Sequence, residues 1–225
     1  NISELSEHKK EIWLFRYHEK YKELAIKEEI RLRTAGKPVE FNVNSKNDIY
    51  LKFAGLVPEF SKVVAISFGF ITYTEDNKSS VALQTIASMD EKELLNKASE
   101  IFKICIKSTL CGYNILGFDM PTLCRRYSIN SIPIPVKLNN LGKKPWEINV
   151  TDLALDWKST AWEMTSLEVL CEALGISSSK KGAVHNANLG ISLHGGKVTI
   201  EQVGEYCEDD VVATCNCLIK LCNEV

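Results

Sequence analysis

With 225 residues, 45 % of them hydrophobic, the chain can bury one substantial core, as one large domain or two small ones. A formal net charge of −2 excludes a global basic field of the kind that draws nucleic acid by bulk attraction. It leaves room for an acidic cleft that holds metal ions, whose charge supplies part of the attraction to phosphate. The eight cysteines fall inside apolar helix or strand patterns, with no Cys-x-x-Cys and no histidine at zinc-finger spacing. They are expected to be reduced, buried hydrophobes of a cytoplasmic protein. No apolar run approaches transmembrane length and no signal peptide is visible, so no membrane partner is expected.

From Ser3 to about Arg33, highly charged sequence with apolar residues at helical spacing predicts one or two surface helices, ended by Gly36-Lys37-Pro38. A short helix over Lys46 to Ala54 stops before Gly55 and Pro58. The run Val63 to Thr72 is rich in β formers, and Ser80 to Ser88 alternates apolar and polar residues. Glu75-Asp76-Asn77-Lys78 between them predicts a polar hairpin turn. Asp90 is placed to cap a helix reaching about Lys107, and Thr109 to Tyr113 follows as a short strand. Strand, crossover helix and strand together predict an α/β sheet with helices packed on it. Ligands collect in such folds where strands end and helices begin.

The segment at that point is Gly112-Tyr113-Asn114-Ile115-Leu116-Gly117-Phe118-Asp119-Met120-Pro121. Pro121 disfavours helical geometry at Met120, so the next helix is expected over Thr122 to Tyr127. Asp119 then stands in a helix-start turn, free either to cap or to reach into a cleft, while Asn114 is either a turn residue or part of the same cleft. A Pro-rich connector, Ser131 to Val136, leads to a long loop ending in Lys143-Lys144-Pro145-Trp146-Glu147. Those lysines and Trp146 can hold a phosphate and stack a base, or form a solvated loop with the ring tucked inward. Val150 to Leu155 is a short apolar segment carrying Asp152, Ser166 to Leu174 is a helix ended by Gly175, and Ser177 to Gly196 reads as an irregular crossing.

The last stretch, Lys197 to Val225, opens with Thr199 as N-cap and Gln202 at capping-box spacing. Ile200, Val203, Cys207, Val211, Cys217, Leu218 and Leu221 recur at helical spacing and predict one buried face. Tyr206 and Asp210, four residues apart, share a face of that helix, where a phenol and a carboxylate can hold a metal ion and a water beside it.

Taken together, Asn114-x-x-x-Phe118-Asp119 resembles the second motif of the DEDD superfamily of 3′–5′ exonucleases, and Tyr206-x-x-x-Asp210 resembles the third motif in its tyrosine-bearing form. The histidine form would need a histidine where Glu205 stands. The intervening Lys143 to Glu147, Asp152-Leu153, and Thr165 to Ile176 resemble bacterial and phage exonucleases related to the proofreading domain of family B DNA polymerases. The resemblance spans about Ala54 to Val225.

It implies an α/β, ribonuclease H-like mixed sheet flanked by helices, two divalent metals (Mg²⁺ or Mn²⁺), and removal of nucleotides from the 3′ end of DNA or RNA. By that resemblance Asp210 ligates the catalytic metal, Asp119 positions the second, Tyr206 orients the attacking water, and Asn114 and Phe118 line the terminal-nucleotide pocket. In-line attack on a phosphodiester needs an activated water and a stabilised leaving oxygen, which paired metals about 3.5–4 Å apart provide. A single domain is expected over 1–225, with a helical insertion over about 1–55 and the α/β core from about 56.

One departure stands out. The family's first motif, Asp-x-Glu on the first strand, does not precede Val63, so two of four carboxylates and a central strand are missing. The chain opens on Asn1 rather than Met, and the expectation is that the natural polypeptide begins upstream with that motif. Three functions remain open. They are a 3′–5′ exonuclease acting on single-stranded or 3′-ended DNA, a non-cleaving nucleic-acid binder that has lost the first acids, and a scaffold that keeps only the sheet.

Overall fold

The computed structural model describes residues 1–73, 79–140, 142–144, 147–177 and 189–223. The chain divides into two compact units, one drawn from Asn1–Lys62 and His185–Thr199, the other from Val63–Val184 and Ile200–Val225. Among the described residues, no helix is long and apolar enough to cross a membrane. The predicted hairpin turn at 75–78 lies outside the described residues, as do Pro145 and Trp146.

In the first unit, helix α1 (Glu7–Trp13) is capped by Ser6, whose hydroxyl accepts from Lys9 N–H. A π-helical turn, Leu14–His18, carries the chain without a break into α2 (Glu19–Thr34). Gly36, at φ 65°, ends the run, and Lys37 N–H returns to the Leu32 carbonyl at 2.9 Å. Helix α3 (Lys46–Phe53) starts at Ser45, which accepts from Asp48 N–H and donates to the Asp48 carboxylate. The charged composition of this region predicts a solvated surface, yet Trp13, Tyr21, Ala25, Ile49, Tyr50 and Phe53 form a buried core. Trp13 stacks on Tyr17 and Tyr21, with ring centroids 5.5 and 5.7 Å away, and meets Tyr50 edge-on at 5.0 Å. A helix over Leu189–His194 (α8) lies within the segment expected to be irregular. A Cβ on its Gly190 would come 2.1 Å from the Leu51 carbonyl oxygen, so glycine is what permits that close crossing of α3.

The second unit has two small sheets flanked by helices, a mixed α/β arrangement of ribonuclease H-like type. Strands β1 (Ala65–Tyr73) and β2 (Ser79–Ala87) pair antiparallel, from Ala65↔Ala87 to Tyr73↔Ser79. Helix α4 (Glu91–Ile104) follows, and the Asp90 carboxylate accepts from Lys92 and Glu93 N–H as its composition predicts. Strand β3 (Leu110–Gly112) leads through a π-helical turn, Ile115–Asp119, into α5 (Met120–Ile129). Strand β4 (Val150–Asp152) pairs parallel with β3, Gly112 opposite Asp152, and runs into α6 (Leu153–Lys158). Helix α7 (Leu167–Ala173) begins after Ser166, whose hydroxyl caps Val169 N–H, and α9 (Ile200–Asn223) begins one residue after Thr199. Among the described residues β1 is hydrogen-bonded only to β2, and β3 only to β4. That is a ribonuclease H-like sheet without the strand between them.

Helix α9 packs on both β1 and β2. A Cβ on Gly69 of β1 would meet Cys215 Sγ at 2.6 Å and Val211 Cγ1 at 2.7 Å, so the helix is pressed onto bare backbone there. One hydrophobic cluster gathers Ile86, Leu94, Leu95, Ile101, Phe102 and Tyr127, and a second gathers Leu153, Leu170, Cys171, Ala213 and Cys217. The buried Glu91–Arg126 pair is fully engaged, because Glu91 also accepts from Val63 N–H at 2.7 Å and Asn130 Nδ2 at 2.8 Å. Burial would raise the Glu91 carboxyl, but these hydrogen bonds outweigh it and hold the group below its usual range. All eight cysteines are free thiols, and Cys222 is exposed rather than buried as expected.

Candidate functional site

The turn after β3 is built from a left-handed residue. Asn114 has φ 56° and ψ 28°, a conformation that asparagine tolerates better than most side chains. Its carbonyl accepts from Gly117 and Phe118 N–H at 3.1 and 3.0 Å, which closes the turn. Asp152, at the end of the neighbouring strand, accepts Asn114 N–H at 2.8 Å and Leu116 N–H at 3.0 Å. Its first oxygen also takes Ala154 N–H at 3.1 Å, at the start of α6.

One expectation is corrected here, and one of two alternatives falls away. Met120 is helical (φ −63°, ψ −49°) despite preceding Pro121, because the π-helical turn feeds α5 in register, so α5 begins before Thr122. Asp119 is itself helical and makes no capping hydrogen bond to α5, so it is not the N-cap that an Asp before a helix suggests. Asp119 instead stands exposed at the end of the turn. The desolvating protein mass beside its carboxyl, together with the charges of Asp152 and Asp210, pushes it up to about 6.

Helix α9 supplies the other half. Tyr206 donates its phenol hydrogen to the Asp210 carboxylate across one helical turn. Burial, then the Asp210 charge and that hydrogen bond, push the phenol well above its ordinary range. Glu168, near the start of α7, adds another negative charge within reach of the ring. Cys207 bonds Ser67 of β1, which in turn meets Thr85 Oγ1 at 2.9 Å, so this stretch of α9 is tied to the sheet beneath it. Burial raises the Cys207 thiol as well.

The structure thus brings Asp119 and Asp210 within electrostatic reach, with Tyr206 bonded to Asp210. Asn114 is half-buried and its amide lies over Gly117, where a Cβ would come 2.3 Å from the amide oxygen. Phe118 keeps 39 % of its surface exposed beside them. Lys143 and Lys144 are exposed, with Lys143 Nζ 3.4 Å from Asn140 Oδ1. Asp152, named in the sequence without being assigned a role, is what meets the amides of this turn. Its signal was an acid at the end of an apolar strand, a position that buries a charge only when backbone donors meet it.

Mutual repulsion between Asp119 and Asp210 is what a divalent cation between them would relieve. The donor set is nevertheless incomplete for the metal pair that the resemblance implies. Among the described residues, no group of three or more His, Cys, Asp or Glu side chains converges so that it could hold a metal ion.

Two comparisons bear on this geometry. No curated protein matches the chain. The family model described as DNA polymerase family B, exonuclease domain, matches residues 71–161. That window contains Asn114, Phe118, Asp119 and Asp152 and stops before Tyr206 and Asp210. A segment covering well under half of the chain, and holding one side of the candidate site, is therefore similar to the exonuclease domain of family B DNA polymerases.

Proposed function

We propose that this chain is a nucleic-acid-binding relative of the exonuclease domain, receiving the 3′ end of a single strand at the turn that carries Asn114, Phe118 and Asp119. The observation that carries the proposal is Phe118, an aromatic ring left exposed beside a polar amide on a closed turn, inside the segment similar to that domain. A base stacked on such a ring gains about 1–3 kcal/mol with little regard to sequence. Asp119 and Asp210 repel a phosphate, so affinity rests on stacking and hydrogen bonding and is modest. Among the described residues no third acid, histidine or cysteine converges with Asp119 and Asp210, which favours binding over cleavage.

A 5′-fluorescein single-stranded DNA of about ten nucleotides, titrated with the full chain in EDTA and read by anisotropy, tests this. Binding on the order of micromolar, weakened about tenfold by Phe118→Ala as one stacking contact predicts, is the expected result. Equal binding by wild type and Phe118→Ala removes the strand from this turn.

A second reading, a metal-dependent 3′–5′ exonuclease, is favoured by one feature. The chain keeps a Tyr206–Asp210 hydrogen bond opposite a second acid, an arrangement that a binder of phosphate has no need of. Stepwise shortening of the labelled strand in Mn²⁺, stopped by EDTA and by Asp210→Asn, would move the conclusion to that reading.

A further inference from the structure

We infer that Asp152 is the positioning residue of this site, its buried carboxylate fixing the turn that presents Asn114, Phe118 and Asp119. The inference rests on the binding proposal for what the turn does, and on geometry alone for what Asp152 does. Strand β3 ends at Gly112, opposite Asp152 in the parallel ladder. The chain then turns left-handed at Asn114, two residues beyond the end of the strand. Asp152 is 3 % exposed and meets the amides of Asn114 and Leu116, one with each oxygen, at 2.8 and 3.0 Å. A buried carboxylate is costly unless it is hydrogen-bonded, and bonds to a charged acceptor are stronger than neutral ones. The turn and the charge therefore depend on each other.

The competing role is a plain helix cap, since Oδ1 also accepts from Ala154 N–H. One oxygen suffices for a cap. The second oxygen is spent on Leu116, which lies in the turn and has nothing to do with α6. The glycines agree with this division. A Cβ at Gly112 would strike the Ile115 side chain at 2.7 Å, and one at Gly117 would strike Asn114, so the turn is packed tightly against both of its own ends. A turn this closely fitted has one conformation when its amides are held and several when they are released.

Three proteins separate the roles. Asp152→Ser keeps a capping hydroxyl for Ala154 but cannot reach both turn amides. Asp152→Asn keeps one acceptor and turns a donor toward Leu116 N–H. Ile101→Val, in the core cluster against which Ile115 and Leu116 pack, serves as the control for loosened packing alone. Hydrogen exchange at Asn114 and Leu116 is measured in the free 225-residue chain, and affinity for the 5′-labelled single strand is measured alongside. Asp152→Ser and Asp152→Asn should each speed exchange at these two amides and weaken the strand by about tenfold, the effect of one lost hydrogen bond to a charged group. Ile101→Val should do neither. Exchange and affinity in both Asp152 variants matching the control would overturn the inference and leave Asp152 as a helix cap. Should neither variant fold, fast exchange of these amides in the wild-type chain overturns it, and slow exchange supports it. A wild-type chain that binds no strand sinks the binding proposal, while the amide measurements still decide the role of Asp152.

Discussion

Asp119 and Asp210 are brought within electrostatic reach of each other by opposite means. Asp210 rides in the middle of α9, which packs on β1 and β2 with close approaches at Gly69 and Gly204. Its distance from Tyr206 is set by one helical turn. Asp119 rides on a five-residue π-helical turn, and the amides at the start of that turn are held by a side chain remote in sequence. The difference predicts what each half tolerates. Disturbing the helix should disturb the second unit as a whole, whereas disturbing the turn should change the site and leave the fold standing.

The largest expected effect comes from the helix side. Gly69→Val must drive a branched side chain into Cys215 and Val211. Overpacking of this kind costs about 3 kcal/mol, which for a chain of this size lowers the melting temperature by about 10 °C. Thermal denaturation followed by circular dichroism measures it, and an unchanged midpoint would show that α9 does not bear on β1.

On the turn side, Gly117→Ala pushes a methyl group into the Asn114 amide. The backbone at Gly117 needs no left-handed conformation, so stability should change by less than about 1 kcal/mol, within the range of mild substitutions. Affinity for the labelled strand should nonetheless fall about tenfold, as for a displaced hydrogen-bonding side chain. A loss of stability without a loss of affinity would mean that Asn114 serves the fold.

Tyr206→Phe removes the phenol hydrogen from Asp210 while keeping the ring. The cost should be about 1 kcal/mol, the net worth of one hydrogen bond, with helical content unchanged. A drop several times larger would place the hydroxyl among the supports of the core.

The smallest effect concerns pH. Desolvation and the nearby acids push the Asp119 carboxyl up to about 6 in the fold, from 3.8 in the open chain. Between those values the folded state binds more protons, so this group lowers stability as pH rises from about 4 to 6 and holds that cost above. Asp119→Asn should therefore melt slightly higher than wild type at pH 7.5, and at the same temperature at pH 3. Because the residue is exposed and water screens it, the gain should be about 1–2 °C. In wild type, affinity for the strand without metal should rise as pH falls through 6, when the acid loses its charge. Asp119→Asn should flatten that rise. A wild-type profile as flat as the variant's would show that phosphate does not approach Asp119.

Much of this architecture was written locally. The period of Ile200 to Leu221 specified a helix with Tyr206 and Asp210 on one face. Asp90 announced α4, Ser166 and Gly175 bracketed α7, and the β formers of 63–72 and 80–88 marked the antiparallel pair. Caps, turns and periodicity involve residues within a few positions of each other, so one sequence displays them. What tertiary structure decided was the fate of charged and polar groups whose partners are far along the chain. The charged N-terminal stretch became a core because Trp13 and Tyr21 found Tyr50 and Phe53. Asp119 turned out not to cap its helix because the π-helical turn leading into α5 already holds it in helical geometry. The register of two short parallel strands placed Gly112 opposite Asp152, and nothing near either residue in the sequence encodes that pairing.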